Sequence, residues 1–186
     1  MNITQIKKLY AKYQTPKHVQ KHMKVVAEIA VSYAKKIKKN GRKVDINLLR
    51  HAALLHDFLK MLVFKDIHKN DPKIWKTLRK KYPNTHDVEV AAIILRELGE
   101  NELAEIVRKQ QFNAVISKDH PLETLEEKIV YYADKRVAHD QIVTLKKRLS
   151  EGEKRYGTKT PKNIEKKLFQ LEKEIMRLSG STKISR

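Results

Sequence analysis

The chain has 186 residues, of which 40% are hydrophobic, and it carries 41 Lys and Arg against 22 Asp and Glu, a formal net charge of +19. That length supports one domain with a sizeable core and is short for two, and the apolar fraction excludes a disordered chain. With no cysteine, disulfides and thiolate metal sites are excluded, and no apolar run, Val90–Leu95 included, approaches the roughly 18 residues of a membrane span.

The N-terminal residues Met1 to Thr4 lack the charged-then-apolar layout of a signal peptide, so a cytoplasmic protein with no membrane partner is expected. The charge attracts polyanions and leaves nucleic acid open as a partner. A lysine-rich or heat-adapted surface would produce the same charge. Aromatic residues total only 6%, and no aromatic-basic platform for stacking bases stands out.

In chain order, a first helix is expected over 3–13. The stripe Val19, Met23, Val26, Ile29/Ala30, Tyr33 and Ile37 predicts a helix over 16–39, opened by Thr15-Pro16 and stopped by Gly41. Asp45 precedes a helix over 46–59, and Asp71-Pro72 opens one over 72–81. Asn84-Thr85 precedes a helix over 85–98 with the stripe Val88, Ala91/Ala92, Leu95 and Leu98, ending at Gly99, and another follows over 101–111. Leu122, Leu125, Ile129, Tyr132/Ala133, Val137 and Ile142 predict one long helix over 121–149, and Thr160-Pro161 opens a last one over 162–178, before Gly180. No alternating run predicts a sheet, since Val115-Ile116 is too short. The fold class is all-α.

The polar stretch Ser150–Thr160 is the one plausible boundary. It divides the chain into a domain over 1–150, a polar connector over 151–160 and a basic helix with its tail over 161–186. Leu168, Leu171, Ile175 and Leu178 of that helix need a partner surface, either the domain itself or a second copy in a homo-oligomer.

Three isolated signals carry chemistry. His56-Asp57 closes the apolar run that begins at His51, and a charged carboxylate there needs a partner because unpaired buried charge is costly. A divalent cation serves both side chains; imidazole with carboxylate suits Mn, Fe, Co, Ni or Zn better than Ca, and Mg is admissible. His86-Asp87 and His139-Asp140 follow no comparable apolar run, and a hydrogen-bonded pair explains either of them. His22 lies on or beside the buried face of its helix, where a lone histidine is more often a satisfied core residue. Asp134 follows the apolar stretch Ile129–Ala133, with an ion pair to Lys135 or Arg136 as its ordinary explanation.

The order His, His-Asp, Asp on three predicted helices resembles the HD superfamily of metal phosphohydrolases. The flanks agree: His22-x-x-x-Val-Ala-x-x-Ala, Ala-x-Leu-Leu-His56-Asp57 and Tyr-x-Ala-Asp134-Lys. The likeness covers roughly Thr15 to Tyr156 and implies a compact HD-domain fold with a C-terminal helical extension. It also implies metal ligands at His22, His56, Asp57 and Asp134. His18, one turn before His22, competes as first ligand, and the Val26-Ala27-Ala30 spacing favours His22.

Lys60 completes His-Asp-x-x-Lys and is similar to a phosphate-steadying lysine of some branches. His86 resembles an additional histidine of two-metal branches. Those branches carry a further histidine where this chain has Gln110 or Gln111, and His120 sits in an unconstrained loop position. One metal is therefore expected rather than two, and the likeness to the dinuclear diadenosine-tetraphosphate hydrolases is weakened.

The expected activity is hydrolysis of a phosphate ester, best fitted by a nucleotide, by a water made acidic at the cation. Asp57 would orient or deprotonate the water, Lys60 would stabilise phosphoryl oxygens, and His86 would protonate the leaving group or contact phosphate. The alternatives are a phosphodiesterase acting on RNA or cyclic nucleotides, a non-catalytic regulatory module that binds metal or nucleotide, and a plain helical nucleic-acid-binding protein.

Overall fold

Helix α2 (Lys17–Lys39) is the axis of the fold in the computed structural model, which describes residues 1–64 and 70–181. Its apolar stripe (Val19, Met23, Val26, Ala30, Tyr33 and Ile37) is buried against α3 (Ile46–Leu55), α7 (Leu125–Asp134) and α9 (Lys162–Ser179). α1 (Ile3–Lys12) packs on α3, while α5 (Asp87–Glu97) and α6 (Asn101–Arg108) pair and reach the core through the α3–α6 contact. α4 (Lys73–Lys81) lies against the 3-10 turn Lys60–Val63. The all-α class holds. No helix among the described residues is long and apolar enough to cross a membrane.

The expected helix over 121–149 is three elements. α7 stops at Asp134, a short antiparallel hairpin of β1 (Val137–Ala138) and β2 (Gln141–Ile142) follows, and α8 (Leu145–Tyr156) comes after it. The reason is local. The Val143 amide donates to the Arg136 carbonyl, and Thr144 caps the next helix by accepting from the Lys147 amide. α7 itself opens on a reciprocal capping box between Thr124 and Glu127. α8 runs on through Tyr156, so the first part of the expected polar connector is helical.

The prolines also act one position earlier than expected. Pro16, Pro72 and Pro161 are themselves the cap residues, extended at ψ 142, 140 and 135, with no capping side chain. Their fixed φ suits that position, and the residues before them are released for other work. Thr15 is buried, and its hydroxyl donates to the Phe58 carbonyl at 2.8 Å, while Asp71 pairs with Arg79 at 2.6 Å. Removing only the hydroxyl, in Thr15→Val, leaves the Phe58 carbonyl without its partner. The expected cost is about 1–2 kcal/mol, read as a lower urea midpoint at unchanged slope.

The expected helix over 46–59 ends at Leu55, because the His56 ring takes up the Ala53 carbonyl and the chain turns. The stripe on α9 finds its partner within this chain: Leu168, Leu171 and Ile175 are buried, and the helix packs on α2, α7 and the turn Ala114–Ile116. Gly180 closes α9 at φ +63, where a Cβ would also lie 3.2 Å from the Asn40 amide. Residues 182–186 of the expected tail lie outside the described residues.

Candidate metal centre

His22 stands half-buried on α2, and His56 occupies the C-cap of α3, fully enclosed. Each ring is held at Nδ1 by a backbone carbonyl: His56 by Ala53 at 2.8 Å and His22 by His139 at 2.7 Å. A carbonyl only accepts, so each Nδ1 carries a hydrogen and each Nε2 is left to face the site. Both Nε2 atoms converge on Asp134, at the last position of α7. Its Oδ1 lies 3.0 Å from His22 Nε2 and 3.5 Å from His56 Nε2. The three ligating atoms fall within 4.8 Å of one another.

The charges explain why this arrangement suits a cation. Burial alone would raise the Asp134 pKa, but the Lys135 ammonium at 2.6 Å and the two histidines hold it well below the usual carboxylate range. Burial also works against a charged His56 ring, and Asp57 and Asp134 outweigh it, so the His56 pKa is raised. Its Nε2 is buried and makes no hydrogen bond. Positive charge is therefore favoured at that atom, and two imidazole nitrogens with a carboxylate form a donor set for Mn, Fe, Co, Ni or Zn. A metal and a proton would compete for the same nitrogen.

Asp57 stands beside the cluster, with Oδ2 3.8 Å from His56 Nε2 and Oδ1 3.5 Å from Lys60 Nζ. Burial opposes its ionisation, yet Lys60 and then His56 lower its pKa overall. The Lys60 pKa is raised, chiefly by Asp57. Lys60 also reaches Asp87 Oδ2 at 3.7 Å and keeps 34% of its side chain exposed. Asp87 is 1% exposed, and its other oxygen lies 2.5 Å from His86 Nδ1, though not aligned as a hydrogen bond. A line of contacts thus runs from the cluster through Asp57, Lys60 and Asp87 to His86. There a cavity of about 350 Å³ opens, lined by Leu62, Val63, Tyr82, Asn84, Thr85 and His86 among others.

Of the residues singled out in the sequence, His22, His56 and Asp134 come together, and Asp57 and Lys60 adjoin them. His86 stands further along the line. His18 is not in the cluster and stacks on Phe64 instead, with ring centroids 6.1 Å apart. Gln110 turns its amide back to the Ile106 carbonyl, and Gln111 donates to Glu89. His120 is exposed in a loop, its backbone amide bonded to Ser117. Among the described residues no second cluster of three metal-ligand side chains forms. Asp134 makes the ion pair to Lys135 that is its ordinary explanation, and its other oxygen lies on the histidines.

Asp87 reads in the sequence only as half of a His-Asp pair that a hydrogen bond would explain, and nothing there signals its contact with Lys60. Sequence reasoning also missed the His139 carbonyl, which no side-chain motif can announce.

A family model described as HD domain matches residues 19–138. A protein of Methanocaldococcus jannaschii, described as uncharacterized protein MJ0778, is 30% identical over 87% of this chain and 89% of the relative. No solved structure matches the chain.

Proposed function

The chain belongs to the HD-domain family, and from that premise we propose that it is a metal-dependent phosphohydrolase acting on a phosphate ester of a nucleotide. The observation that carries the reading is the paired orientation of His22 and His56. Both rings are pinned at Nδ1 by carbonyls, and both turn Nε2 onto Asp134. Partners of this kind set the tautomer and basicity of metal-ligating histidines. With Asp57 at the side of the cluster, the proposed ligand set is His22, His56, Asp57 and Asp134.

A divalent cation held there supplies Lewis acidity, making a water more acidic and polarising phosphoryl oxygens. The rest is work for this chain's own residues. Asp57, whose pKa Lys60 and His56 lower against the effect of burial, would orient the attacking water and take its proton. The exposed side of the Lys60 ammonium is available to phosphoryl oxygens as negative charge builds on them. His86, exposed beside the cavity, would protonate the leaving oxygen. The cavity supports a substrate with an organic part: apolar walls from Leu62, Val63 and Tyr82 meet polar groups from Asn84 and Thr85, the mixture that small-molecule sites use. The net charge of +19 favours an anionic ligand.

The test is elemental analysis of the purified protein, followed by a turnover screen with added Mn, Co, Ni, Zn or Mg. Nucleoside monophosphates, dinucleoside polyphosphates, cyclic nucleotides and short RNA belong in it. Turnover of monophosphates is the expected result. Metal and nucleotide binding without turnover would replace it with a regulatory module, and cleavage confined to RNA or cyclic nucleotides with a phosphodiesterase. Within the enzyme, Lys60→Ala is expected to lower kcat/KM about 10–100-fold, the loss of roughly 1.4–2.7 kcal/mol of charge stabilisation. Unchanged kcat/KM in that variant would remove Lys60 from the site.

A further inference from the structure

The carbonyl that holds His22 belongs to His139, in the hairpin turn just beyond the end of the family match at residue 138. We infer that Arg155, on α8, is a positioning residue for the metal centre: by gripping the His139 side chain it fixes the turn whose carbonyl orients His22. The inference rests on the metal reading of His22 and extends it to a part of the chain that the match does not reach.

His139 adopts φ +57, in the left-handed region, which a residue with a Cβ seldom enters unaided. Hairpins with a two-residue turn commonly give such a position to glycine. Its conformation is therefore imposed by what surrounds it, and α8 supplies the constraint. Arg155 Nη2 lies 2.9 Å from His139 Nε2. A guanidinium only donates, so Nε2 accepts and the ring hydrogen is on Nδ1. Two helical turns earlier, on the same face of α8, the Arg148 Nε donates to the Val137 carbonyl at 2.9 Å.

Leu145 and Leu149, buried beneath, seat the helix. α8 thus holds β1 through Arg148 and the turn through Arg155, and the turn presents its carbonyl 2.7 Å from His22 Nδ1. The Arg155 contact is exposed and weak taken alone. Its effect lies in selecting one orientation of a group that aims a proposed ligand.

The test uses Co²⁺ titration of the full-length protein. Affinity is read by equilibrium dialysis and ligand geometry by the visible absorption of the bound ion, with helicity by circular dichroism as the folding check. Removing groups that orient a ligating histidine typically costs about 10–100-fold in metal affinity. One exposed step further out, Arg155→Ala is expected to cost about three- to tenfold and to alter the Co²⁺ spectrum at unchanged helicity. Arg155→Lys, which retains a donor, should recover part of the loss. His139→Gly keeps the carbonyl and accepts the positive φ but removes the acceptor ring, so in that background Arg155→Ala should have no further effect.

Equal losses in both backgrounds would show that Arg155 does not act through His139. An unchanged affinity and spectrum in Arg155→Ala would also overturn the inference. A wild-type chain that takes up no Co²⁺, Mn²⁺ or Zn²⁺ would overturn the metal reading itself, and this inference with it.

Discussion

A His56→Ala chain is expected to lose its divalent metal and its hydrolysis together, each by more than about a hundredfold. The magnitude follows from position. Groups that merely orient ligands cost about 10–100-fold when removed, and His56 offers its own Nε2 to the centre from a fully buried ring. The variant should still fold. Lys60 remains against Asp57 and Lys135 against Asp134, so neither carboxylate is left buried and unpaired, which is the condition that costs most.

That separation makes the experiment clean. Wild-type protein in metal at about 100 times its dissociation constant should gain roughly 2.7 kcal/mol of stability, and the variant less than about 0.4 kcal/mol. Elemental analysis, the metal-dependent shift in melting temperature and turnover should therefore fail in step. Normal metal content in His56→Ala would sink the ligand assignment, whatever happened to activity.

Each of the three side chains of the cluster lies on or closes a helix whose apolar spacing is strong, but His22 and Asp134 taken alone have ordinary explanations. It is the order and flanks resembling the HD superfamily that single the three out together. The apolar spacing tells which face is buried, and a histidine or aspartate on that face needs a reason to be there. The end of α7 was not legible for the same reason. Val137 and Ile142 continue a helical recurrence on paper, whereas in the fold they pair as neighbours across a hairpin. Helix signals were present nearby, in the Thr124 and Glu127 capping box and in Thr144, but an unbroken apolar stripe outweighed them.

His139 was noticed only as half of a His-Asp pair, while its role here is carried by a backbone carbonyl, which every residue possesses. Arg155 fell in a stretch that reads as a polar connector between Ser150 and Thr160. Nothing in composition separates a solvated arginine from one bonded to a turn beside the cluster. Thr15 is the milder case. It stands just before the helix, where Pro16 and not Thr15 is the cap, and its hydroxyl donates to Phe58 in the turn after His56 and Asp57, so it steadies that turn rather than the helix.

The largest stability loss outside the cluster is expected from Arg136→Ala, about 3 kcal/mol or more by urea unfolding at neutral pH. Arg136 is 1% exposed. Its Nε donates to the Val143 carbonyl at 2.7 Å, and one Nη donates to the Tyr132 hydroxyl at 2.9 Å, which itself donates to Glu172 Oε1 at 2.9 Å. Removing one member of a buried charged network leaves the others unsatisfied, at a typical cost of about 3–5 kcal/mol. The Glu172 side chain keeps 14% exposure and can recover some hydration, which favours the lower end of that range.

Arg136→Lys should rescue little, because a lysine cannot serve two acceptors in the guanidinium's fixed planar geometry. Glu172→Gln keeps an acceptor for the Tyr132 hydroxyl but removes the carboxylate charge 3.9 Å from the Arg136 guanidinium, so it should cost about 1–3 kcal/mol, less than the arginine variant. Against a total stability of about 5–15 kcal/mol, the arginine variant loses a large share. The loss also reaches the proposed centre: the Arg136 side chain ties the residue after β2 to the end of α7 while α8 holds β1, so without it the turn that aims His22 loses one of its side-chain anchors and keeps the backbone bond from the Val143 amide to the Arg136 carbonyl. Metal affinity in Arg136→Ala should therefore fall even under conditions where the chain is still folded. A loss of stability with metal affinity intact would show that the hairpin keeps its orientation without this anchor.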